Sequence, residues 1–519
     1  RTMYLEGNLS YNRSFGDHSI GGLLVYNMRN RVVASAGSVI YGLPYRNQAT
    51  AGRVTYSYKD KYLAEFNGGY TGSENFAPGH RWGFFPSVSA GWVISKESFF
   101  DGLASTFSLL KIRASRGRVG NDNIGTTNRF GYLTQIGGGG ATAFGTNPTY
   151  YYGVSEQVAG TENLTWEVST KTDIGLEVGL LNKINIVVDV FQDRRKDILI
   201  PRQSISSIVG YDGYNYASGT SGVTVISNIG EMNNKGIDGS VEYNDKFGKN
   251  VTLRVFGNFT YARNRIVFAD EPARKYKYQR KTGTKYQEFT GYVAEGLFKD
   301  QQDINGSPSQ TFSLAVHPGD IKYEDVNKDG VVDGYDWKYT GKSAFPSWSY
   351  GAGFTVGYKK IDLSLFFQGV ADVAIMANGS AIGMNDGSAA GVGVVPFTGI
   401  GQYPANVLSN VLNRWTPSNP SQNVDYPRLG IATTTSNNYL GSTWWLKDGS
   451  YIRLKQASIG YTIYNAGTKK TGLASLYVYG AGTNLLTFSK FKLWDVELGS
   501  SGATYPPVRT LVIGLRAQF

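Results

Sequence analysis

The stretch "DIGLEVGLLNKINIVVDV" (173–190) contains two runs in which an apolar residue occupies every second position. The apolar positions are Ile174, Leu176, Val178 and Leu180 in the first run, and Ile184, Ile186, Val188 and Val190 in the second. Such alternation is typical of a β-strand with one face turned to an apolar environment. Because the short connection "LLNKI" separates the runs, the stretch predicts two strands joined by a tight turn.

Segments of this kind extend from the first residues of the chain to the last, and they number about fifteen. Their opposite faces carry Glu6, Asn8, Arg53, Thr55, Glu65, Asn67, Lys111, Arg113, Asp173, Glu177, Asp238, Glu242, Arg254 and Asn258. Charges that alternate so regularly with aromatic and aliphatic residues indicate strands with lipid on one side and water on the other. The sequence therefore predicts an all-β protein, a transmembrane antiparallel β-barrel.

The terminal segment "RTLVIGLRAQF" (509–519) follows the same pattern. The residues predicted to face the membrane are Leu511, Ile513, Leu515 and Phe519. Arg516 and Gln518 would then face the lumen. A strand of a soluble sandwich has the same alternation, so this segment alone does not decide the fold. The final Phe519 is either an assembly signal or one more lipid-facing residue.

The connections between the predicted strands give a separate indication. Counted back from the C-terminus, short and long connections alternate, as periplasmic turns and extracellular loops do in transmembrane barrels. The long ones are residues 29–50, 74–85, 120–166, 200–226, 267–347, 371–445 and 488–507. A propeller or a sandwich has no reason to sort its loops in this way. The same alternation places "TGYVAEGLFKD" (290–300) inside one extracellular excursion, 267–347, rather than in the barrel wall.

Composition agrees with this fold class. The 519 residues include 66 Gly, 36 Tyr and no Cys, and no run of about 18 apolar residues predicts a transmembrane helix. Absence of cysteine fits a chain that crosses an oxidising periplasm. The net charge of +11 is scattered, and its densest run is "RKYKYQRKTGTKY" (274–286). A lumen or a surface near anionic lipid explains this charge more simply than nucleic acid, which we do not expect as a partner.

The stretch "DVNKDGVVDGYD" (325–336) has the ligand spacing of a calcium-binding loop. The candidate ligands are the side chains of Asp325, Asn327, Asp329, Asp333 and Asp336 and the carbonyl of Val331. Gly330 would permit the sharp turn, and Val332 would anchor the loop to a core. The alternative is an Asx-rich turn whose carboxylates bind no ion. Without flanking amphipathic helices, we expect a structural Ca²⁺ rather than a calcium sensor.

No enzyme site is predicted. The three histidines are far apart in the sequence, and neither a nucleophile elbow nor a phosphate-binding loop is present. Nothing selects a carboxylate pair among the loops. Trp348, Trp444 and Trp445 would either stack on sugar rings or belong to an aromatic girdle at the membrane interface.

Nine segments together resemble the SusC-like TonB-dependent transporters of Bacteroidetes outer membranes. They are "WGFFPSVSAGWVIS" (82–95), "LLKIRASRGRVGNDNI" (109–124), "DVFQDRRKDILI" (189–200), "IGEMNNKGID" (229–238), "GDIKYEDVNKDGVVDGYDWKYTGKSAFPSWSYG" (319–351), "NRWTPSNP" (413–420), "WLKDGSYIRLKQASIGYT" (445–462), "GTNLLTFSKF" (482–491) and "YPPVRTLVIGLRAQF" (505–519). They stand in family order and span nearly the whole chain. The departures are small: "DVEL" (495–498) stands where the family often has Asp-Pro-Glu, and "GRVGND" (117–122) is more basic than usual.

The resemblance implies an outer-membrane importer whose barrel has about twenty-two strands. Residues 1–519 would be its C-terminal portion, without the N-terminal plug domain and the TonB box, through which the TonB complex acts. A SusD-like surface lipoprotein would cap the barrel. The implied function is active import of a large nutrient, a glycan or an oligopeptide, across the cell outer membrane.

Two other functions remain open at this point. The first is a passive outer-membrane pore, which we expect to begin with a signal peptide and to have an even number of strands. The second is a surface binding or adhesion barrel, which requires loops with a core of their own. The long loops are rich in Gly, Ser and Asn, so we expect no such core.

Overall fold

The computed structural model describes the chain apart from residues 34–41, 125–128, 147–148, 206–223, 313–314, 378–408, 431–435, 465–473, 501, 503 and 519. The described residues group into two units. The first unit contains Arg1–Gly239, Ala262–Ala273 and Lys281–Gly283, and the second contains Ser240–Tyr261, Arg274–Arg280 and Thr284–Phe519. In the described part of the chain, no helix has the length and apolar character needed to cross a membrane.

Ten strands lie in the first unit. They are β1 (Thr2–Phe15), β2 (His18–Arg31), β3 (Tyr45–Tyr58), β4 (Tyr62–Ser73), β5 (Trp82–Val93), β6 (Phe107–Asn121), β7 (Gln135–Phe144), β8 (Thr149–Ala159), β9 (Glu167–Leu180) and β10 (Ile184–Pro201). Strands β1 to β6 pair antiparallel in sequence order. Strand β6 then pairs with β9, and β9 with β10. Because β7 and β8 pair with each other as a hairpin, the antiparallel order passes over them.

Two long strands, β11 (Thr224–Phe247) and β12 (Val251–Phe268), contribute residues to both units. The long strands of the second unit are β19 (Trp348–Tyr358), β20 (Ile361–Ala371), β23 (Tyr451–Tyr464), β24 (Ser475–Ser489) and β25 (Thr510–Gln518). Antiparallel pairing runs from β12 through β19, β20, β23 and β24 to β25. The numbers skipped in this series belong to short strands in the loops.

The short strands of the second unit are β13 (Glu288–Gly291), β14 (Ala294–Leu297), β15 (Ser309–Gln310), β16 (Ile321–Tyr323), β17 (Val331–Val332), β18 (Lys338–Ser343), β21 (Ala374–Met376) and β22 (Leu446–Asp448). They pair as β13–β18, β14–β16, β15–β17 and β21–β22. Among the described residues, helical structure comprises α1 (Gln301–Asn305) and the 3₁₀ turns Ile94–Lys96, Ser98–Leu103, Lys277–Gln279, Ser409–Leu412, Ser436–Tyr439 and Val496–Leu498. Since β13 and β14 pair inside the 267–347 excursion, the placement of "TGYVAEGLFKD" outside the wall is confirmed.

The all-β prediction and its count of strands are confirmed. Apart from the β7–β8 hairpin and the short strands, the described part of the chain has fifteen long strands: β1–β6, β9–β12, β19, β20 and β23–β25. Short and long connections alternate as predicted, with two exceptions, one of which is the 465–474 connection on the short side, ten residues long against eight in the 74–81 connection. The other is the 94–106 connection on the short side, which is longer than the 74–81 connection on the long side and contains two of the 3₁₀ turns.

Two of the tight turns show why the short ends are short. Lys59 and Asp60 have φ of 53° and 51°, and Leu181 and Asn182 have φ of 54° and 55°. Each turn is closed by a backbone hydrogen bond, from Lys61 N to Tyr58 O at 2.9 Å in the first case. Two successive residues with positive φ form a mirror-image turn, whose twist matches that of the strands on either side.

Candidate functional site

One face of the strand wall consists of exposed apolar side chains, as the pairing of β4 with β5 shows. Three cross-strand pairs share this face: Tyr62–Trp92, Phe66–Val88 and Tyr70–Phe84. All six side chains are between 39% and 55% exposed. A continuous apolar face of this kind is unfavourable in water and stable against lipid, with Tyr and Trp toward the strand ends as in an interfacial girdle.

The opposite face of the wall carries charges that pair across strands. Arg113 of β6 donates from Nη1 to Asp173 Oδ1 at 3.1 Å, from Nε to Glu177 Oε1 at 3.1 Å and from Nη2 to Asp189 Oδ2 at 2.7 Å. Lys111 Nζ also donates to Glu177 Oε1, at 3.1 Å. Two cations and three carboxylates therefore form one network over β6, β9 and β10. Such a face suits water or a polar domain and not hydrocarbon.

A glycine makes the reach of Arg113 possible. Gly175 of β9 lies directly between Arg113 and Asp189 in the strand register. A Cβ at this position would lie 2.2 Å from Asp189 Oδ1 and 2.8 Å from Arg113 Cζ. The missing side chain leaves room for the guanidinium to cross β9. On the same face, Lys111, Arg113 and Glu65 line a cavity of about 450 Å³.

The two longest loops build a folded body, here named the loop module: residues 284–347 together with the described part of 371–445. Its core consists of Leu297, Ile321, Tyr323, Val332, Met376, Val411, Trp415, Tyr426 and Trp445. Burying each such large side chain contributes on the order of 1.5–3 kcal/mol. The expectation that these loops lack a core is therefore wrong, because few apolar residues suffice when two loops share them.

A buried ion pair joins the two halves of the loop module. Asp320 is fully buried, and Arg428 donates to it from Nε at 2.9 Å and from Nη2 at 3.1 Å. Asn438 Nδ2 donates to Asp320 Oδ1 at 2.8 Å, and the backbone N–H of His317 donates to Asp320 Oδ2 at 2.8 Å. A buried charge requires such complete pairing, so Asp320 and Arg428 depend on each other.

Two fully buried asparagines complete the junction by acting as a substitute strand. Asn438 Oδ1 accepts from Ile321 N at 2.9 Å, and Asn437 Nδ2 donates to Ile321 O at 2.8 Å. Gln310 Nε2 donates to Asn437 Oδ1 at 2.7 Å. Side chains thus satisfy both backbone groups of a buried residue in β16, as a neighbouring strand would.

The candidate calcium loop is a continuous turn that its own carboxylates hold together. Asp325 Oδ1 accepts from Lys328 N at 2.6 Å, and Asp325 Oδ2 accepts from Gly330 N at 2.7 Å. Asp336 is fully buried and accepts from the backbone N–H groups of Val326 and Asp333, each at 2.8 Å. Gly330 has φ +90°, as its predicted role in the sharp turn requires.

The remaining candidate ligands lie in the same turn. Asn327 Nδ2 donates to Asp329 Oδ2 at 2.8 Å, while Val331 N donates to Asp329 Oδ1 at 3.1 Å. Within the described part of the chain, no group of three or more His, Cys, Asp or Glu side chains is arranged to hold a metal ion. Ion binding therefore stays a prediction. The anchoring role predicted for Val332 is confirmed, because this residue belongs to the core of the loop module.

The densest basic run of the sequence packs against this acidic turn. Gln279 is buried and donates from Nε2 to Tyr335 O at 3.1 Å, and Tyr278 Oη donates to Tyr335 O at 2.8 Å. Burial, followed by the negative charge of Asp336, raises the pKa of Tyr278 to about 12. Lys275 Nζ lies 4.7 Å from the ring centre of Tyr335. Part of this positive charge thus has an internal partner.

The tryptophans differ from one another in position. Trp445 is 1% exposed and donates from Nε1 to Asn438 O at 2.8 Å, so it is a core residue and not a platform for sugar rings. Trp348, the first residue of β19, is 40% exposed, and its ring centre lies 4.6 Å from that of its cross-strand partner Tyr261, which fits the interfacial girdle. Trp444 is half-buried.

The terminal strand has the predicted alternation. Leu511, Ile513 and Leu515 lie on one face of β25 and are 75%, 89% and 64% exposed. Gln518, on the other face, accepts a hydrogen bond at 3.2 Å from Ser475 of β24. Contact of the apolar face with lipid stays a prediction, and Phe519 lies outside the described residues.

Sequence reasoning missed the most connected residues. Asp320 and Arg428 are 108 positions apart, and no local pattern marks either as buried. Asp189 carried a signal, because it is the polar residue within the otherwise apolar run "IVVDVF" (186–191).

Comparison with known proteins identifies the fold. The family described as "TonB dependent receptor-like, beta-barrel" matches residues 2–379. TonB-dependent receptor P3 of Formosa agariphila is 28% identical over 99% of this chain and 52% of its own length. TonB-dependent receptor SusC of Bacteroides thetaiotaomicron is 27% identical over 89% of this chain and 43% of its own length. The chain therefore spans about half the length of the curated relatives it matches.

A solved structure gives the same result. The RagAB peptide transporter superposes with a TM-score of 0.73 at 20% identity, covering 100% of this chain and 55% of that chain. At this identity the likeness concerns the fold. The resemblance to SusC-like transporters drawn from the sequence is confirmed, as is the outer-membrane location. The chain belongs to the TonB-dependent receptor-like β-barrel family of the outer membrane.

Proposed function

We propose that the protein containing this chain actively imports a large nutrient, a glycan or an oligopeptide, across the outer membrane. Energy would come from the TonB complex through a plug domain, and a SusD-like surface lipoprotein would cover the barrel. The observation that carries the proposal is the loop module. A loop pair with its own core offers a fixed surface on which a lid can close, whereas loops of a simple pore need none.

The names of the relatives support the same proposal. One is a receptor called SusC, and the RagAB structure is that of a peptide transporter. The charged face around Arg113 suits contact with a polar plug or with water. We propose no catalytic activity, since the matched relatives are named receptors and transporters.

The experiment that tests this proposal is uptake by whole cells. Cells that depend on this protein should accumulate a labelled oligosaccharide or oligopeptide, and accumulation should stop when the proton-motive force is collapsed or TonB is deleted. Uptake that continues without energy would instead identify a passive pore. Surface binding without uptake would identify a binding or adhesion barrel, a function that the core of the loop module also permits.

We further propose that residues 325–336 hold one structural Ca²⁺. Side-chain oxygens of Asp325, Asn327, Asp329, Asp333 and Asp336, with the carbonyl of Val331, would supply the ligands. Backbone donors occupy only part of the lone pairs of these carboxylates, so each keeps acceptor capacity for an ion, which would have to draw the side chains together. Calcium would reduce repulsion among four acids and stiffen the excursion beside the lid.

Limited proteolysis tests the calcium proposal. Cleavage within 267–347 should slow in millimolar calcium relative to chelator, and the double variant Asp325→Ala/Asp329→Ala should lose this response and bind the lid more weakly. Barrel insertion should not change. Asp101→Ala, in a 3₁₀ turn outside the excursion, is the control. Equal protection of the double variant and the unaltered protein in calcium would contradict the proposal.

A further inference from the structure

A cavity of about 270 Å³ in the second unit lies beside β22 and the segment that follows β24. Three lysines line it: Lys447 of β22, and Lys490 and Lys492 after β24. None of the three forms an ion pair with another described residue. Three ammonium groups around one small space repel each other, and a bound anion would remove that repulsion.

The two acids of the cavity offset only part of this positive charge: Asp425 acts on Lys447 and Asp448 on Lys490, but three lysines face two acids. Asp425 Oδ2 accepts from Asn413 Nδ2 at 2.7 Å, and Asp448 Oδ1 accepts from Ser450 N at 2.9 Å. Burial lowers the pKa of Lys447, and the negative charge of Asp425, which raises that pKa, does not fully compensate. The ammonium of Lys447 is therefore poorly solvated, so an anionic partner gains more from it than from a lysine in bulk water.

A second feature of the cavity is an unused hydrogen-bond donor. Tyr426 lines the cavity and is 1% exposed, and its hydroxyl has no hydrogen-bond partner among the described residues. A buried hydroxyl is normally paired, because leaving it unpaired is unfavourable. The ammonium group of Lys447 and the hydroxyl group of Tyr426 can both donate hydrogen bonds, so together they suit a negatively charged acceptor.

The rest of the lining is apolar and bounds the size of the ligand. Phe491 is buried, and Trp445 and Leu493 complete the surface. Ligand sites commonly combine such apolar walls with a few converging polar groups. A volume of this size accommodates about one sugar ring or one amino-acid residue, so a larger ligand would insert a single unit.

We propose that this cavity binds a carboxylate-bearing unit of the imported nutrient, either a uronate residue of an oligosaccharide or the C-terminal residue of a peptide. The inference rests on the proposed import function and specifies its substrate class. Lys447, Lys490 and Lys492 pair with the carboxylate, the Tyr426 hydroxyl donates to it, and Phe491 packs against the ring or side chain.

Binding to the purified full-length protein in detergent tests the inference without requiring transport. The probes are a trigalacturonate with a matched neutral trisaccharide, and a tripeptide with its C-terminal amide. One carboxylate probe should bind at least tenfold more tightly than its neutral counterpart. The arm that shows this difference identifies the source of the carboxylate as glycan or peptide.

Variants locate the binding. Lys447→Gln/Lys490→Gln should lose tenfold or more in affinity for the carboxylate probe, whereas Lys277→Gln, an exposed lysine outside the cavity, should bind normally. Tyr426→Phe should weaken binding several-fold while retaining full thermal stability, since the hydroxyl it removes has no protein partner. The stability measurement separates loss of the site from loss of the fold.

Two results would overturn the inference: equal binding of the neutral probes, or unchanged affinity in the double lysine variant. Either result leaves the import proposal standing if energised uptake is observed. Conversely, carboxylate binding at this site with no energised uptake would sink the import proposal alone.

Discussion

Ile513 in β25 is 89% exposed, whereas Val332 in β17 is fully buried, although both are aliphatic residues in β-strands of the second unit. The long strands turn apolar side chains outward and pair charges such as Arg113 and Asp189 on the other face. The loop module does the reverse, with its apolar side chains packed around Trp445. One chain thus contains strands with apolar faces turned to lipid and strands with apolar faces turned to a protein core. Alternation in the sequence predicts that a strand has an apolar face, but it does not indicate whether lipid or protein covers that face.

The largest expected effect comes from the buried ion pair of the loop module. Asp320→Ala removes the buried carboxylate that accepts from Arg428, Asn438 and the His317 N–H, and it should destabilise the module by about 3–5 kcal/mol. Hydrogen exchange should rise in 284–347 and 409–445 and stay unchanged in the long strands. Glu295→Ala, at an exposed position of β14, is the matched control. Exchange that rises equally in the long strands would mean that wall and module are not separately stabilised.

The next effect belongs to the wall. Ile513→Arg near the bilayer midplane should cost about 2–4 kcal/mol, because the side chain would face hydrocarbon. Denaturant titration in liposomes measures this cost, and Gln518→Arg on the opposite face is the control. A soluble sandwich would tolerate arginine at a position that is 89% exposed. A cost near zero would therefore contradict the conclusion that Ile513 faces lipid.

A smaller effect should come from the glycine beneath the charged network. Gly175→Ala places a methyl group against Asp189 and Arg113 and should lower stability by about 1–3 kcal/mol through overpacking. The midpoint of the heat-induced mobility shift on gels reports it. Gly480→Ala in β24, where an added Cβ meets nothing within 4 Å, should leave that midpoint unchanged. Equal midpoints for both variants would show that the network adds nothing to the wall.

The smallest expected effect is a pH response at the base of the module. A hydrogen bond from Ser347 is the main cause that holds the pKa of Asp372 below its ordinary value of 3.8, and Lys285 and Lys342 add to it. The folded state therefore binds the proton less readily than the unfolded state. The ionised Asp372 side chain therefore stabilises the folded state at pH values above its ordinary pKa, and this stabilisation is lost as the pH falls through the lower pKa of the folded state.

Proteolysis of the loop module at a series of pH values between about 5 and 3 measures this response. Nicking should increase on acidification in the unaltered protein. The Asp372→Asn variant should be cleaved faster than the unaltered protein at pH 5, and its cleavage rate should increase less on further acidification. A variant with the full response would assign the titration to another carboxylate.

The wall was predictable because its signal is local. The alternation of Ile174, Leu176 and Val178 with Asp173 and Glu177 is recognisable within a single strand, and tight turns such as 59–61 and 181–183 join neighbouring strands through three residues. The calcium-like turn was equally legible, since all its candidate ligands lie within twelve positions.

The core of the loop module was not predictable in the same way. Asp320, Arg428 and Asn438 gain their roles only when two loops meet, and each alone reads as an ordinary polar loop residue. The prediction that Gly-, Ser- and Asn-rich loops lack a core failed because asparagines here replace a strand instead of marking a flexible linker. The cavity at Lys447 was hidden for the same reason, as its lysines come from two distant segments.

The separation of Asp320 and Arg428 along the sequence also bears on the order in which parts of the chain fold. The two residues are 108 positions apart, and both β19 and β20 lie between them, so their ion pair closes a loop that contains a whole hairpin of the wall. Contacts between such remote segments form slowly, because the intervening chain must be ordered first. Until then Ile321, Tyr323 and Val332 lack the part of their core that the second loop supplies, which includes Trp415, Tyr426 and Trp445. The loop module is therefore expected to become protected later in folding than the β19–β20 hairpin, whose contacts are local.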